Sequence, residues 1–502
     1  MNIKEAKEQI KIAMSAYLAR DEWGNYEIPR SGQRPVFLLG APGIGKTQII
    51  EQIAAELDVP LVSYSMTHHT RQSALGLPFL ASRTYQGQPM QVSEYTMSEI
   101  LSSVYDIMEA TGREEGILFL DEINCVSETL TPSMLQFLQF KTFGRHALPE
   151  GWLVVTAGNP PEYNRTVREF DIVTLDRLKK IEVEPDFEAW KEYAYRADIH
   201  PAILSYLQVK KDHFYHVETK VSGKSFVTAR GWEDLSRMIR LCEKKELPVD
   251  RKLIGQYLQD EKISRDFSAY YDLFRKYRSD YQVEAILAGT WSEEIEERAR
   301  AARFDEKIAL LGLLLHSLSD RCQAIASEED SLLLILEVLQ KVKERGGEGE
   351  GTGEGKREGE EKEELRKGTE SLQEKIAQKE KKGTLALTEK RTIQRAHAFL
   401  SSLAREAEGF EDCRKAYKKE TDSLQEKAQE TRQSLGQAFA FLEKVYPQGQ
   451  EMLLFVTELT VDEATARFLT HYGCESYDRH SRELLFQERR KDLSERAKRF
   501  LA

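Results

Sequence analysis

The sequence predicts an α/β fold, with a parallel five-stranded sheet and helices on both faces, followed by an α-helical lid and a further all-α region. Between residues 35 and 184, short apolar runs alternate with helical segments, which is typical of a parallel sheet covered on both sides. The five runs lie at 36–39, 61–65, 117–120, 152–156 and 181–183. After residue 185 the strand signals vanish and helical periodicity dominates.

These patterns divide the chain into five predicted parts. Residues 1–184 form the α/β core, which begins with an amphipathic helix at about 3–19. The remaining parts are a helical lid at 185–250, a helical extension at 251–342, a linker at 343–368 and a C-terminal helical module at 369–502. The linker consists of Glu, Gly, Lys and Arg with almost no apolar residue. Such a segment buries too little surface to offset its ordering entropy, so we predict that it is flexible and disordered.

Composition limits the class of protein. The chain has 502 residues, a net charge of −12, 40% hydrophobic residues and 31% charged residues. The acidic balance argues against a protein that works mainly by coating nucleic acid, which needs a basic face. Five widely spaced cysteines fit reduced thiols better than a disulfide framework or a zinc site. The N-terminus lacks the apolar run of a signal peptide, and the longest apolar stretch, 308–315, is too short to span a bilayer. We therefore expect a cytoplasmic protein.

The strongest local signal lies at 36–57. Four apolar residues run directly into the pattern Gly-x-x-x-x-Gly-Lys-Thr, and an amphipathic helix follows. The pattern alone also occurs by chance in glycine-rich turns, but a preceding strand and a following helix predict a P-loop NTPase core. Main-chain amides of the loop would cradle the phosphates of ATP, Lys46 would reach the β- and γ-phosphates, and the Thr47 hydroxyl would bind Mg²⁺. The predicted nucleotide-binding residues here are Gly40, Ala41, Pro42, Gly43, Ile44, Gly45, Lys46 and Thr47.

Two further polar elements follow buried strands. Asp121 and Glu122 end the run 117–120; acidic residues often end strands, but a metal-binding carboxylate is needed at this place after the phosphate loop. We expect Asp121 to hold Mg²⁺ and Glu122 to orient and deprotonate the attacking water. Asn159 lies just after the run 152–156 and would contact the γ-phosphate or that water, although Asn-Pro is also a turn dipeptide. The prediction depends on this strand lying between the phosphate-loop strand and the Asp121 strand.

Together these elements resemble the AAA+ ATPases, and within them the MoxR-like and dynein-related branch. The resemblance covers about residues 34–245. The motifs that carry it are Gly-Ala-Pro-Gly-Ile-Gly-Lys-Thr at 40–47, Leu-Asp-Glu-Ile-Asn at 120–124, Leu-Gln-Phe-Leu-Gln at 135–139, Ala-Leu-Pro at 147–149, Thr-Ala-Gly-Asn-Pro at 156–160 and Leu-Asp-Arg-Leu at 175–178. The C-terminal half resembles no family that we can name.

The resemblance implies that the site lies between protomers of a ring, usually a hexamer, and that a neighbour supplies an arginine to the γ-phosphate. Arg177 matches that position, with Arg165 and Arg168 as alternatives; each could also be an ordinary solvated arginine. Arg230 matches the second sensor of the family at the start of a lid helix. Gly231 departs from the pattern, which leaves open whether Arg230 lies in the first helical turn.

By resemblance, the activity is ATP hydrolysis coupled to remodelling of a protein partner, often one with a von Willebrand factor A domain. The segment 66–79 and a hairpin at 141–150 are the expected partner contacts. Two alternatives stay open. One is a nucleotide-gated scaffold with incidental turnover, which could tolerate the loss of Glu122. The other is a nucleic-acid motor, which the acidic balance disfavours.

Overall fold

The computed structural model describes residues 1–68, 74, 76–163, 167–220, 223–347, 354–381, 387–407, 409–447 and 449–482. The described chain forms two compact units. The first unit contains Met1–Trp190 with two later segments, Tyr215–Val217 and Phe226–Trp232. The second contains Lys191–Phe214, Glu218–Ser225 and the described chain from Glu233 onward. Among the described residues, no helix combines the length and the apolar character that crossing a membrane requires.

The predicted five-stranded parallel sheet is the centre of the first unit. Its strands are β1 Val36–Gly40, β2 Leu61–Ser65, β5 Gly116–Asp121, β8 Trp152–Gly158 and β9 Lys179–Val183, in the spatial order β2-β5-β8-β1-β9. As predicted, β8 lies between the phosphate-loop strand β1 and the strand that ends in Asp121. The register places Ser65 opposite Asp121 and Leu39 opposite Gly158, so the strands end together at one edge.

Helices cover both faces of this sheet. Neighbouring strand residues point to opposite faces, so Leu118 packs in one apolar cluster and Phe119 in the other. Helices Glu99–Thr111 and Thr131–Phe140 complete the first cluster, and helices Ile3–Tyr17 and Lys46–Glu56 complete the second. The first helix starts at a capping box in which Asn2 and Glu5 each accept a hydrogen bond from the backbone of the other. A short helix, Ile172–Leu175, precedes β9, and helix Phe187–Arg196 follows it.

Two antiparallel hairpins lie outside the sheet. The first, β3 Pro78–Tyr85 with β4 Gln88–Tyr95, was not predicted, because both of its faces are largely exposed and its sequence has no buried side to create an alternating pattern. The second, β6 Thr142–Phe143 with β7 His146–Ala147, confirms the predicted hairpin within 141–150. An ion pair between Arg145 and Glu94 joins the two hairpins. In the expected contact segment 66–79, residues 69–73 and 75 lie outside the described part of the chain.

The second unit is mainly helical. Its helices are Pro201–Val209, Arg251–Tyr257, Glu261–Asp280, Val283–Leu287, Glu293–Ala301, Phe304–Gly347, Glu354–Lys381, Leu387–Glu406, Phe410–Val445, Gln450–Val461 and Glu463–Tyr472, with a further helical stretch at 475–482. Helix Phe304–Gly347 packs against several others, from Pro201–Val209 to Glu463–Tyr472. The expected separate extension and tethered C-terminal module are therefore parts of one compact unit. The apolar run 308–315 lies at its centre, and a helix that is apolar on most sides must be surrounded.

The predicted flexible linker at 343–368 needs correction. The described residues up to Gly347 and from Glu354 onward are helical. Glu and Lys are good helix formers, and Glu363 pairs with Lys367 one turn later at 2.8 Å. Leu365 is buried, and a Cβ at Gly368 would collide with the Val338 side chain of helix Phe304–Gly347. Gly368 therefore permits close packing of two helices, whereas the composition of segment 343–368 suggested only flexibility.

A second correction concerns residues 216–227, for which the sequence analysis expected only helix. Strands β10 His216–Lys220 and β11 Gly223–Val227 form a two-stranded sheet there. Residues that favour strands, such as Val217 and Val227, are present, but the runs are short and half polar. Helix Ala229–Lys244 begins directly after β11.

Two histidines with lowered pKa values, the buried His200 and the half-buried His316, make the second unit sensitive to acid. Burial lowers the pKa of His316 from 6.5 to about 4, with further contributions from Arg240 and Arg278 and opposition from Asp198. Unfolding restores the ordinary pKa, so the unfolded chain binds a proton first and stability falls as pH drops from 6.5 towards 4. We expect a loss of about 2 kcal/mol from this group between pH 7.5 and 5, measured by chemical denaturation at each pH.

The variant His316→Gln should flatten this pH dependence. His200, whose pKa burial also lowers, adds a loss in the same direction. Burial raises the pKa of Asp320, which lies 3.3 Å from His316 and opposes the loss. Equal pH profiles for wild type and His316→Gln would show that His316 does not carry the effect.

Candidate functional site

The phosphate loop joins β1 to helix Lys46–Glu56 at the common strand edge. Gly43 and Gly45 have φ of +74° and +94°, values that side chains disfavour. A Cβ at Gly43 would also lie 2.9 Å from Thr228. Gly45 caps the helix without a side-chain hydrogen bond, and the first turn contains no acidic residue. The amides of this helix terminus therefore favour an anion.

Lys46 lies at the base of the loop. Its side chain is buried, and its Nζ donates to the carbonyl oxygens of Gly40 and Ala41, both at 2.8 Å, and to Asn159 Oδ1 at 2.9 Å. Burial lowers its pKa from 10.5 to about 8, and Arg230 lowers it further while Asp121 opposes the shift. A buried cation whose direct partners here are neutral oxygens is suited to an anionic ligand.

Thr47 and Asp121 come together although they are 74 residues apart. The Thr47 hydroxyl donates to Asp121 Oδ2 at 3.0 Å, and Asp121 Oδ1 accepts the Glu122 N–H at 2.8 Å. Both side chains offer oxygen, the donor that Mg²⁺ prefers, and they lie beside the lysine and the helix terminus. This donor set fits a magnesium ion bound together with phosphates.

Glu122 has an unusual backbone and two partners that the sequence analysis missed. Its φ is +55°, the left-handed region that residues other than glycine seldom adopt. Its Oε2 accepts hydrogen bonds from the hydroxyls of Ser65 at 3.2 Å and Thr67 at 3.0 Å. Ser65 ends β2, which β5 and β8 separate from the phosphate-loop strand. This oxygen is therefore held on the side of β5 away from the phosphate loop.

Asn159 is oriented by Asn124, which the sequence analysis placed in a motif without giving it a role. The side-chain Nδ2 of Asn124 donates to the backbone carbonyl of Asn159 at 2.8 Å. The backbone carbonyl of Asn124 accepts a hydrogen bond from the backbone N–H of Arg168 at 2.9 Å. Asn124 is buried. It therefore links the strand end that carries Asp121 to the residue that contacts Lys46.

Arg230 lies in the first turn of helix Ala229–Lys244, which answers the question left open by Gly231. The Thr228 hydroxyl accepts the Gly231 N–H at 3.2 Å, as a capping residue does, so the glycine at this turn is compatible with the helix start. The Arg230 N–H donates to the Gly43 carbonyl at 3.2 Å. The arginine thus begins its helix directly on the phosphate loop, with an exposed side chain.

The three candidate trans-acting arginines differ in their surroundings. Arg177 is exposed between helix Ile172–Leu175 and β9, and its guanidinium forms no ion pair with the described residues. Arg168 is also exposed and pairs with Glu128. Arg165 lies outside the described residues. The described structure brings neither the Arg177 nor the Arg168 side chain into hydrogen-bond contact with the phosphate loop.

Comparison with known families agrees with this geometry. Residues 35–178 match the model of the AAA domain of the dynein-related subfamily. The match contains the phosphate loop, both carboxylates, Asn159 and Arg177, and it ends before Arg230. No curated protein matches the chain. The predicted resemblance to the AAA+ ATPases and their dynein-related branch is thus confirmed for residues 35–178, the part of the chain that matches the AAA domain of the dynein-related subfamily.

Proposed function

We propose that this protein binds and hydrolyses ATP and uses the cycle to remodel a protein partner, as an AAA+ protein of the MoxR-like type. The observation that carries the proposal is the convergence of Lys46, Thr47, Asp121 and Asn159 at one edge of the sheet, with Glu122 directly beside them. A phosphate-binding loop alone would serve any nucleotide-binding protein. A hydrolytic site also needs a general base, and Glu122, directly after the metal-binding Asp121, is placed to be one.

Each residue has a proposed role. The loop from Gly40 to Gly45 holds the phosphates through its backbone N–H groups, which every residue except Pro42 has, and Lys46 balances the charge of the β- and γ-phosphates. Thr47 and Asp121 would hold Mg²⁺, which neutralises charge on the phosphoryl oxygens when it is bound. Glu122 takes a proton from the attacking water, and Asn159 orients the γ-phosphate or that water. Arg230 contacts the nucleotide from its helix start.

The protein partner is proposed from exposed apolar surface in the first unit. Hairpin β3–β4 exposes Leu80 (71%), Phe79 (45%) and Met90 (48%). An exposed group of apolar side chains of this kind is typical of a surface that contacts a partner. Resemblance suggests a homo-oligomeric ring, most often a hexamer, with Arg177 reaching the neighbour's nucleotide. The same resemblance suggests a partner with a von Willebrand factor A domain, in the cytoplasm.

The test is phosphate release from Mg-ATP by the purified full chain, with and without candidate partners from the same cell. We expect turnover that Lys46→Ala abolishes and a partner stimulates. ATP binding without Lys46-dependent turnover would support a nucleotide-gated scaffold instead. Stimulation by DNA rather than by protein would support a nucleic-acid motor.

A further prediction concerns the hydroxyls that hold Glu122. Because Ser65 and Thr67 keep its carboxylate oxygen on the β2 side, removing both donors should free Glu122 to reach the water near the γ-phosphate. The double variant Ser65→Ala/Thr67→Ala should raise basal ATP turnover about 2- to 10-fold, the effect of releasing one or two hydrogen bonds to a charged group. Ser127→Ala/Thr129→Ala, which removes another hydroxyl pair of the first unit, is the control. Lower turnover in the first variant would mean that the hydroxyls support catalysis.

A further inference from the structure

A short segment with a well-defined backbone precedes β9 and ends at Arg177. Asp171 caps helix Ile172–Leu175, since its Oδ1 accepts a hydrogen bond from the backbone N–H of Thr174 at 2.8 Å. The backbone N–H of Arg177 donates to the Thr174 carbonyl at 3.1 Å, so the turn continues as far as the arginine. These bonds fix the position of Arg177 relative to the start of the helix.

One side of this segment packs on the sheet. Leu178 is buried in the same apolar cluster as Phe37 of β1, and the ring centroids of Phe37 and Phe170 lie 5.2 Å apart. Leu175 packs against this cluster as well. The segment is thus held to the sheet both before and after its short helix, which gives its exposed residues a fixed orientation.

The other side of the segment exposes two apolar residues and the arginine. Ile172 is 84% exposed, a fraction that no other large apolar residue in the described part of the chain exceeds, and Val173 is exposed beside it. Val173 and Arg177 are four residues apart, which places them on the same face of a helical turn. Both apolar side chains are β-branched and have few rotamers, so their burial in an interface costs little conformational entropy.

Docking of Ile172 and Val173 on any surface also brings Arg177 to that surface. A guanidinium that loses water without gaining an anion costs free energy, so the receiving surface must offer an anion beside an apolar contact. Within the described structure, Arg177 forms no ion pair and no hydrogen bond to the phosphate loop of its own chain. The phosphate loop of a second copy meets the requirement, because the proposed function places the phosphates of ATP there.

We propose that Ile172 and Val173 are an apolar anchor that binds a second copy of this chain and places Arg177 at the phosphate loop of that copy. The inference rests on the proposed function, because bound ATP supplies the anion. The anchor contributes contact area, and the arginine contributes charge at the reacting phosphate. Loss of the anchor therefore weakens assembly and leaves the assembled site intact, whereas loss of Arg177 impairs the chemistry of the assembled state.

The experiment follows assembly of the full-length protein by sedimentation velocity over a range of concentrations, with Mg²⁺ and adenylyl imidodiphosphate. Ile172→Ala should raise the midpoint concentration of assembly about 10-fold, as expected when one aliphatic side chain at an interface is shortened. Ile172→Ala/Val173→Ala should raise it about 100-fold. Binding of the N-methylanthraniloyl derivative of ATP should not change, because the anchor lies outside the phosphate loop.

Phosphate release from Mg-ATP distinguishes an anchor from a catalytic defect. Turnover per protomer by Ile172→Ala/Val173→Ala should fall at low protein concentration and return to the wild-type level at concentrations that restore assembly. Turnover by Arg177→Ala should stay low at every concentration. Ile12→Ala is the matched control, because Ile12 is an exposed isoleucine on helix Ile3–Tyr17 of the same unit, and it should change neither assembly nor turnover.

Equal assembly midpoints for wild type and the double variant overturn the anchor, as does a wild type that stays monomeric with the analogue. Turnover that high concentration does not restore also overturns it, because the two residues then act within their own protomer. If wild type assembles but releases no phosphate from ATP, the proposed function fails, and the assembly midpoints alone decide whether the anchor exists.

Discussion

Replacing Glu122 by glutamine is expected to abolish ATP hydrolysis while ATP still binds. Glutamine is isosteric with glutamate and can accept the hydroxyl hydrogen bonds of Ser65 and Thr67, so the site should keep its shape. It cannot accept a proton from water, and loss of a general base lowers turnover about 100- to 10,000-fold. The measurements are phosphate release at saturating Mg-ATP and equilibrium binding of the methylanthraniloyl derivative of ATP.

The control for this variant is Glu109→Gln, on the exposed side of helix Glu99–Thr111. It makes the same chemical change away from the strand edge and should leave turnover and binding at the wild-type level. Turnover that survives in Glu122→Gln would remove Glu122 from the mechanism and favour the scaffold interpretation. Loss of ATP binding would mean that Glu122 supports the phosphate loop rather than the chemistry.

The parts of the fold that the sequence predicted are those that depend on local pattern. The buried strands β1, β5 and β8 are continuous apolar runs, and such runs identify strands of a covered parallel sheet. Hairpin β3–β4 has no buried face, so its sequence lacks the alternation of apolar and polar residues that predicts a strand. Helix Glu354–Lys381 was not predicted, because the composition of its first half is that of a linker. The residues that it packs against, such as Val338, belong to another helix and leave no local pattern.

The same distinction applies to the site. Lys46 was predicted from the phosphate-loop pattern. Asp121 and Asn159 were predicted because each lies at the end of an apolar strand, and the ends of parallel strands meet at one edge. The contacts of Ser65 and Asn124 were not predicted, because they depend on which residues the fold brings together. The chain separation from Ser65 to Glu122 is 57 residues, and from Asn124 to Asn159 it is 35 residues. No local motif encodes contacts of this length.

Replacing Arg177 by alanine should lower ATP turnover about 1,000-fold or more without loss of ATP binding, the effect of removing an arginine from a phosphoryl transition state. Arg177 is exposed and forms no ion pair with the described residues, so its removal should not destabilise its own protomer. Arg168→Ala is the matched comparison: Arg168 is also exposed but already paired with Glu128. We expect a much smaller effect there, measured as phosphate release at saturating Mg-ATP.

Mixing distinguishes an arginine that acts across a subunit boundary from one that acts within its own chain. Arg177→Ala retains an intact phosphate loop, and Lys46→Ala retains an intact arginine. If Arg177 serves the neighbour's site, co-assembly of these two inactive proteins creates boundaries at which a complete loop faces a complete arginine, and turnover returns to a fraction set by the mixing ratio. If Arg177 acts within its own chain, every protomer in the mixture lacks one group and no ratio restores activity.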